Sequence, residues 1–505
     1  MLNRLVLFLI ACVGLCKCNR RPNFVIVLTD DQDVVLDGMN PMVNVQRFIG
    51  NEGVTFANSY VTSPICCPSR TSFLTGLYVH NHGAYNNSRD GGCHGENWKT
   101  HEKNTFATVL QAAGYSTFYA GKYLNQYGVK ASGGPEYVPS GWSEWHGLVG
   151  NSRYYNYTVS NDGVPTHSAD LYLTDVIRNV SLNYIENQKE SKPFLMVLAP
   201  PAPHAPFTPA TRHSGVYQNV TAVRNPNFNI AVDDKHWLLT MPPSPLPEDM
   251  MPELNRVYRS RWETLLSVDE MVADMVNSLE THSLLDNTYF IYTSDNGYHI
   301  GQFSQVYDKR QPYETDIKVP LLIRGPGVNK DVVSHEPVLN IDLAPTIIKL
   351  AGLEPPRNMD GHAIDLFGHG KVRDRNMLVE FYGEGDDRRV DESCPWKYDT
   401  DKLSECYPEY DCKCQDSRNN TYACIRHIAR RVDFKYCSFD DEKKFIEIYD
   451  LTEDPYELKN KVNEVLPSIK HWYGLMLRLM MACKGADECD KVNENLINLR
   501  TTLQL

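Results

Sequence analysis

Short, almost wholly apolar runs alternate with longer amphipathic stretches from about residue 23 onward. The runs lie at 24–28, 116–119, 194–198, 289–292 and 319–323. Strands that helices cover on both faces of a parallel sheet are apolar on both sides, whereas half-exposed strands alternate. The pattern therefore predicts an α/β domain with a mostly parallel central sheet flanked by helices.

Two helices and one long loop stand out in the same pattern. Apolar residues recur every three or four positions through 263–279, which predicts a helix with one core-facing stripe. Asp342 as N-cap, Pro345 in the first turn and Gly352 after the last turn indicate a second helix. The Pro-rich, poorly periodic segment 201–252 is expected to be a loop close to the functional site.

The alternation fades beyond about residue 365, and a segment rich in cysteine and charge begins at Glu384. A chain of 505 residues exceeds one typical domain. We therefore predict a main domain over 19–370 and a smaller, disulfide-rich α+β domain over 371–505.

The first eighteen residues have the layout of a secretory signal peptide. Arg4 precedes an apolar run from Leu5 to Leu15, which is too short to span a bilayer, and small residues follow. The later sequence contains no apolar stretch of spanning length, so no membrane association is expected. The sequence leaves the oligomeric state open.

Cysteine usage agrees with export, because the secretory route permits disulfides. Eight cysteines crowd the last quarter of the chain, where metal binding is the alternative to disulfides: Cys394, Cys406, Cys412, Cys414, Cys424, Cys437, Cys483 and Cys489. Five N-x-S/T sequons are candidate glycosylation sites: Asn86, Asn156, Asn179, Asn219 and Asn419.

The net charge of the chain limits the kinds of molecule that it can bind. The net charge of −13 excludes a broad basic surface for nucleic acid or anionic lipid. An anionic substrate would therefore need a local cationic site.

Two predicted strands run directly into oxygen-bearing side chains. Asp30 and Asp31 follow the strand at 24–28, and Asp295 and Asn296 follow the strand at 289–292. The carboxyl edge of an open α/β sheet is where ligands bind. Carboxylates with an amide, and no His or Cys, suit Ca²⁺ or Mg²⁺ over zinc. A tight turn at Asp-Asn-Gly and a solvated Asp pair remain the alternatives.

The segment SPICCPSRTSFLTG contains the most specific motif of the chain. Its adjacent cysteines could form a disulfide anchor, but the pattern Cys66-x-Pro68-Ser69-Arg70-x-x-x-Leu74-Thr75-Gly76 resembles the signature of type I sulfatases. In that family the first cysteine is oxidised to formylglycine by the formylglycine-generating enzyme. The resemblance implies a sulfuric ester hydrolase with an alkaline-phosphatase/sulfatase-like fold.

Further motifs extend the resemblance along the chain. Asp30, Asp31, Asp295 and Asn296 fall on the family's Ca²⁺ ligands, together with the formylglycine derived from Cys66. Four residues match the family's cationic and acid/base positions. They are Arg70 in C-x-P-S-R, Lys122 in G-K, His204 in A-P-H and Lys309 in K-x-x-x-Y-E.

One position departs from the family pattern. Many members carry a second histidine two residues after the G-K lysine, where this chain has Leu124. His299 in the stretch DNGYH is the candidate replacement. In the implied mechanism the cationic side chains hold the charge of the sulfate, and His204 protonates the leaving alcohol.

Within the family, stretches such as FYAGKYLNQYG and DKRQPYETDIKVPLLIRGPG most resemble lysosomal exo-enzymes. Those enzymes remove the 6-O-sulfate of N-acetylglucosamine units in heparan and keratan sulfate, so sulfated glycosaminoglycan saccharides are the expected substrates. The related endosulfatases carry a long basic insertion that this acidic chain lacks. A sulfatase for small aryl or plant-metabolite sulfates and a catalytically dead glycan-binding relative are the alternatives.

Chain position suggests five residues as walls of the substrate pocket, with ordinary core packing as the alternative: Trp142, Tyr154, Tyr155, His236 and Trp237.

Overall fold

The computed structural model describes residues 20–188, 192–368, 374–385, 402–410 and 413–503. The predicted signal peptide, Cys394, Cys412 and the predicted domain boundary at 370 lie outside the described residues. No helix of the described part is both long enough and apolar enough to cross a membrane.

Strands and helices of this part are numbered in chain order. The strands are β1 (Asn23–Thr29), β2 (Val54–Phe56), β3 (Ser59–Tyr60), β4 (Ser116–Lys122), β5 (Glu144–Leu148), β6 (Tyr157–Asn161), β7 (Val164–Ser168), β8 (Phe194–Ala199), β9 (Thr288–Ser294), β10 (His299–Ile300), β11 (Tyr307–Asp308), β12 (Leu321–Arg324), β13 (Val332–Ser334), β14 (Val338–Leu339), β15 (Arg375–Phe381), β16 (Leu403–Tyr407), β17 (Lys413–Ser417), β18 (Tyr422–Ala429), β19 (Val432–Phe439) and β20 (Ile446–Asp450). The helices of six or more residues are α1 (Cys66–Thr75), α2 (Glu96–His101), α3 (Phe106–Ala112), α4 (Leu173–Glu186), α5 (Met251–Thr281), α6 (Leu343–Leu350), α7 (Pro467–Met480) and α8 (Ala486–Leu503).

Ten strands form the central sheet in the order β13-β2-β12-β9-β1-β8-β4-β5-β6-β7. Its middle is parallel, because β9, β1, β8, β4 and β5 all run in one direction. The predicted mostly parallel α/β sheet is therefore confirmed. The strand expected at 319–323 is present as β12, but it runs antiparallel to β9 and extends the sheet toward its edge.

Alternate residues of β1 face two separate cores, which explains why the strand is apolar throughout. Phe24 and Ile26 pack on the side of α1, α3 and α6, whereas Val25 and Val27 pack on the side of α4 and α5. Both faces of the sheet are thus covered by helices, as the continuous apolar runs predict.

Both predicted helices are present, but the length of the first and the capping of the second differ from the prediction. The helix expected at 263–279 is the core of the longer α5, which begins with Pro252 in its first turn. Gly352 follows α6 with a φ of 73°, as a C-cap glycine should. The Asp342 carboxylate does not cap α6 as expected. It accepts a hydrogen bond from the Leu339 amide and pairs with Arg375 instead.

The C-terminal part is built on a four-stranded antiparallel sheet, β15-β18-β19-β20, with α7 packed against it. Three disulfides join cysteines of this region: Cys406–Cys414, Cys424–Cys437 and Cys483–Cys489. Disulfide pairing, rather than metal binding, is confirmed for these six residues.

A buried ion network fastens this C-terminal sheet to the main domain. Glu314, from the K-x-x-x-Y-E stretch, accepts from Arg426 Nε and Lys435 Nζ, each at 2.9 Å from its Oε1. The Tyr60 hydroxyl donates to its Oε2 at 3.1 Å. Burial by itself raises the pKa of Glu314, but Arg426 and Lys435 outweigh it and hold the pKa below the ordinary value.

We predict that Glu314→Gln destabilises the protein by about 3 kcal/mol, because it leaves buried cations without one counter-charge. The loss should lie at the low end of the range for broken buried pairs, since Lys435 retains Glu457 at 2.6 Å. Urea unfolding monitored by fluorescence measures the change. The control is Glu52→Gln, which removes an exposed pair with Lys330 and should cost less than about 1 kcal/mol. Equal losses in the two variants would contradict the anchoring role.

Candidate active site

The carboxyl ends of β1 and β9 meet because the two strands are parallel neighbours. The Asp31 amide donates to Asp295 Oδ1 at 3.0 Å, and Asn296 Nδ2 donates to Asp31 Oδ1 at 2.8 Å. Asp30 lies beside them, and each of the four side chains is at most 1 % exposed. The four predicted metal ligands are therefore brought together in a buried pocket.

Cys66 begins α1, so its side chain lies at the amino end of that helix. Its Sγ is 3.6 Å from Asp30 Oδ1 and 4.0 Å from Asp31 Oδ1. Cys67 is bonded to Cys93, and Cys66 is the free cysteine of the described residues. A Cys66–Cys67 anchor is thereby excluded.

The Cys66 thiol is held in its protonated form. Burial raises its pKa to about 12, against the opposing effect of Lys122 and Lys309. A protonated thiol is a poor nucleophile. Burial thus disfavours the thiolate of Cys66, which is the form in which a cysteine attacks an ester.

Three cationic side chains surround the acidic residues. Lys122, the last residue of β4, donates to Asp30 Oδ2 at 2.7 Å. Lys309, directly after β11, donates to Asp31 Oδ2 at 2.8 Å. Both are almost fully buried. We call Asp30, Asp31 and Asp295 the acidic triad, and Arg70, Lys122 and Lys309 the cationic triad.

Arg70 lies one helical turn after Cys66 on α1. Its Nε donates to Asp295 Oδ2 at 2.7 Å, and one terminal nitrogen donates to the Lys122 carbonyl at 2.8 Å. The other terminal nitrogen is 3.7 Å from Asp30 Oδ1 and has no hydrogen-bond partner. One buried donor of this guanidinium is thus available to a ligand.

His204 lies in the loop after β8, as the long-loop prediction requires. Its Nε2 is 3.9 Å from Asp31 Oδ2, and its Nδ1 is 2.6 Å from the Ala205 carbonyl. A carbonyl only accepts, so Nδ1 carries the proton and the neutral ring turns its Nε2 lone pair toward Asp31. Burial lowers the pKa of His204 to about 4, and the two lysines of the cationic triad act in the same direction.

His299 does not join this cluster. Its Nδ1 is 3.0 Å from the Asp316 carboxylate, and its Nε2 is 3.4 Å from Gln415 Oε1. Burial lowers the pKa of His299, yet Asp316 outweighs burial and raises it above the ordinary value. The ring is a partner in a buried network and does not line the cavity described below. Leu124 points into the hydrophobic core.

The cationic triad matches the acidic triad in number, but the three carboxylates are not equally compensated. Burial alone would raise the pKa of Asp30, but Lys122, His204 and Arg70 together hold that pKa well below its ordinary value. Asp295 is less well compensated, and burial raises its pKa to about 6. Three carboxylates against three cations leave the cluster close to neutral before any ion is added.

The cluster fits a divalent cation. Carboxylate, thiol and imidazole ligand atoms of Asp30, Asp31, Cys66 and His204 all lie within 4.8 Å of one another. Asn296 Oδ1 is buried and has no hydrogen-bond partner. An orphaned buried acceptor next to carboxylates is the oxygen donor that a hard cation takes.

A cavity of about 550 Å³ opens above this cluster. Asp31, His204 and Lys309 reach its floor, and its walls include amide, charged and aromatic side chains: Asn87, Asn125, Gln126, Asn151, Phe207, Arg256, Tyr298, Tyr307, Asp308, Arg310, Glu384, Glu405 and Tyr407. The volume is sufficient for a small ligand such as one sugar ring with its ester.

None of the five residues suggested as pocket walls lines this cavity. Trp142 packs on Tyr119 with ring centroids 4.9 Å apart, and His236 stacks on Phe439 at 4.3 Å. Trp237 packs in the same region of the core, and Tyr155 packs against Tyr172. Their aromatic character serves core packing.

Tyr154 contacts the site from the protein interior. Its hydroxyl donates to the His204 carbonyl at 2.7 Å.

Three residues near the site were not predicted from the sequence. Arg261 of α5 donates to the Asp31 carbonyl at 2.7 Å and to Asp33 at 2.8 Å, and Ser152 donates to Asp30 Oδ2. Asn125 lines the cavity one residue after the position of the missing histidine. An arginine on the buried stripe of an amphipathic helix is the one signal that could have indicated Arg261.

The five sequons differ in exposure. Asn156, Asn179 and Asn219 are exposed, whereas Asn86 and Asn419 are partly buried. Asn86 Oδ1 accepts hydrogen bonds from the amide and hydroxyl of Ser88. Access by a glycosyl group is therefore most direct at the first three.

Comparison with known proteins agrees with this geometry. The Sulfatase family model matches residues 22–353, and the model of the C-terminal region of N-sulphoglucosamine sulphohydrolase matches residues 301–414. The N-acetylglucosamine-6-sulfatases of Capra hircus and Homo sapiens are each 46 % identical over 94 % of this chain, a match that covers 85 % and 86 % of those proteins.

The fold has close solved counterparts. The structure of BT4656 in complex with its substrate D-glucosamine-2-N,6-O-disulfate superposes with a TM-score of 0.71 at 24 % identity, covering 94 % of this chain and 99 % of that one. The matched family region contains both triads, Cys66 and His204. The chain belongs to the sulfatase family.

Proposed function

We propose that this protein is an exo-acting sulfatase that hydrolyses the 6-O-sulfate ester of N-acetylglucosamine 6-sulfate at the ends of heparan and keratan sulfate chains. The observation that carries the activity is the free, buried Cys66 at the amino end of α1, beside the acidic triad and within the sulfatase signature. The substrate follows from the relatives named N-acetylglucosamine-6-sulfatase, which match nearly the whole chain.

Residue 66 would act as formylglycine. Once Cys66 has been oxidised by the formylglycine-generating enzyme, the aldehyde hydrate would supply two hydroxyls on one carbon, one to attack sulfur and one to expel sulfate later. The unmodified thiol is poorly suited to this role, because burial disfavours its thiolate form. The amino end of α1 favours negative charge developing on the attacking oxygen.

The cationic triad would bind and orient the sulfate group. Arg70 offers a buried donor without a partner, and Lys122 and Lys309 reach the same pocket. Fixed cations in a water-excluded site stabilise charge on sulfate oxygens far better than cations in water do.

His204 would deliver the proton to the departing sugar alcohol. Burial lowers the pKa of His204 to about 4 in the structure without substrate. The negative charge of a bound sulfate ester opposes that shift, so substrate binding favours the imidazolium form. The Ala205 carbonyl and the Tyr154 hydroxyl fix the loop, so that Nε2 faces the site.

We further propose Ca²⁺ as the metal, held by Asp30, Asp31, Asp295 and Asn296 together with residue 66. The ion would polarise the sulfate and lower the pKa of the attacking hydroxyl. With both triads fully ionised, a divalent cation gives the cluster an excess positive charge. That excess suits an anionic ester in a protein whose overall charge is −13.

We propose that the protein is an exported lysosomal glycoprotein. We propose a signal peptide at 1–18, a catalytic domain at 19–370, a C-terminal subdomain at 371–505 and glycans on the five sequons. An acidic chain without a basic insertion is suited to short saccharide ends rather than to a polymer grip.

We predict that Cys66→Ser lowers turnover at least about 10³-fold, because a single hydroxyl can accept sulfate but cannot expel it. Thermal unfolding should stay within a few degrees of the wild type. Mass spectrometry of the wild-type peptide containing residue 66 should show formylglycine. An unmodified thiol in an active wild-type enzyme, or near-normal turnover of the serine variant, would disprove the mechanism.

We predict that the purified protein contains one Ca²⁺, and that Asp31→Asn or Asp295→Asn lowers the bound calcium more than Asn296→Ala does. A carboxylate contributes more than a neutral amide to binding a divalent ion. Atomic emission spectroscopy gives the metal content. The control is Asp37→Asn, an exposed residue on the same loop, which should retain full calcium. An active enzyme that contains zinc and no calcium would refute the assignment.

We predict that kcat/KM for a saccharide ending in N-acetylglucosamine 6-sulfate exceeds that for a small aryl sulfate by more than tenfold. A site built to hydrogen-bond a sugar leaves its polar groups unpaired when an aryl ring occupies it. Sulfate release measured by ion chromatography compares the two substrates. A preference for the aryl or a plant-metabolite sulfate would assign the enzyme to the other substrate class.

A further inference from the structure

The turn after Lys122 directs two neighbouring residues, Leu124 and Asn125, to different surroundings. Leu124 is fully buried in the hydrophobic core, together with Tyr123 and Tyr127. Asn125 instead lines the cavity above the acidic triad. The position where many relatives carry a histidine thus cannot serve the site, and the next residue along the chain takes a place in it.

Asn125 carries an unused hydrogen-bond acceptor. Its side chain is 8 % exposed, and its Oδ1 is buried without a hydrogen-bond partner. Its neighbour Gln126, by contrast, donates from Nε2 to the Asn87 carbonyl at 2.8 Å. A buried amide oxygen left without a donor is costly, so an orphaned one on a residue that lines a cavity points to a missing hydrogen-bond partner.

The turn that carries Asn125 is rigidly held. The Trp145 indole donates to the Tyr127 hydroxyl at 2.7 Å, and Tyr119, Tyr123 and Tyr127 pack on that indole with centroids 4.9–5.2 Å away. The Tyr127 amide donates to the Leu124 carbonyl at 2.9 Å. These contacts hold the backbone of the turn that carries Asn125, and a fixed backbone is what substrate positioning requires.

The chemistry of the ligand follows from the acceptor. An amide oxygen repels the oxygens of a sulfate, which have no hydrogen to donate and belong with the cationic triad. Its complement is a hydroxyl or an amide N–H. A sugar ring held by its sulfate near Lys309 and His204 offers both, through its ring hydroxyls and its acetamide, whereas an unsubstituted aryl ring offers neither.

We propose that Asn125 is a specificity-determining residue, whose side-chain oxygen accepts a hydrogen bond from the hydroxyl or acetamide N–H of the sugar that carries the ester. This inference rests on the proposed function. Asn125 thereby selects amino-sugar sulfates over aryl sulfates without taking part in bond breaking.

The test is Asn125→Leu, which keeps the side-chain size and removes the acceptor. We expect kcat/KM for the N-acetylglucosamine 6-sulfate saccharide to fall at least tenfold, and kcat/KM for 4-methylumbelliferyl sulfate to stay within about twofold. The aryl ester also reports that residue 66, the metal site and the fold are intact. The control is Asn183→Leu, the same change on the exposed surface of α4, which should leave both values unchanged.

Saccharide analogues identify the donor. Wild-type enzyme should lose activity on one analogue that lacks a ring hydroxyl or the acetamide, and Asn125→Leu should show no further loss on that same analogue. Unchanged saccharide kinetics in Asn125→Leu would overturn the inference and leave the proposed function standing. An equal fall for both esters would overturn the specificity role. A wild-type enzyme that hydrolyses only the aryl ester would overturn the proposed function, and the inference with it.

Discussion

Three carboxylates are buried at the ends of two adjacent strands, and the need to compensate their charge constrains the rest of this structure. Removing a carboxylate from water costs several kcal/mol, and charges of like sign in one dry pocket repel each other strongly. The acidic triad persists because Arg70, Lys122 and Lys309 reach it from three different elements. The fold must bring α1, the end of β4 and the residue after β11 to one point, since any missing cation would leave a buried charge uncompensated.

This balance also explains how an acidic protein can take an anionic ester. The two triads nearly cancel, so the local charge at the floor of the cavity is set by whatever ion joins them, and the surface charge is screened within about 8 Å at physiological ionic strength. The orphaned Asn296 Oδ1 and the unpaired donor of Arg70 are two buried polar atoms that the ion and the ester would satisfy. Binding therefore completes a partly satisfied network.

Much of the site could be predicted from the sequence because parallel neighbouring strands end at the same sheet edge. Asp30 and Asp295 follow apolar runs directly, so their meeting required only the correct strand order. The direction of side chains in loops was harder to predict from the sequence. Leu124 and Asn125 are adjacent, yet Leu124 packs in the core beside Tyr127 and Trp145, whereas Asn125 lines the cavity. The same aromatic cluster explains why Trp142 and other large residues near the site serve the core.

His299 lies apart from the acidic triad and hydrogen-bonds elsewhere. Its partner Asp316 precedes Ile317 in the short helical turn after Glu314, a part of the chain that packs against the C-terminal sheet. The K-x-x-x-Y-E stretch thus performs two tasks within six residues: Lys309 compensates Asp31, and Glu314 binds Arg426 of β18. The C-terminal part also contributes Glu405 and Tyr407 to the cavity, so the cavity is formed jointly by the two parts of the chain.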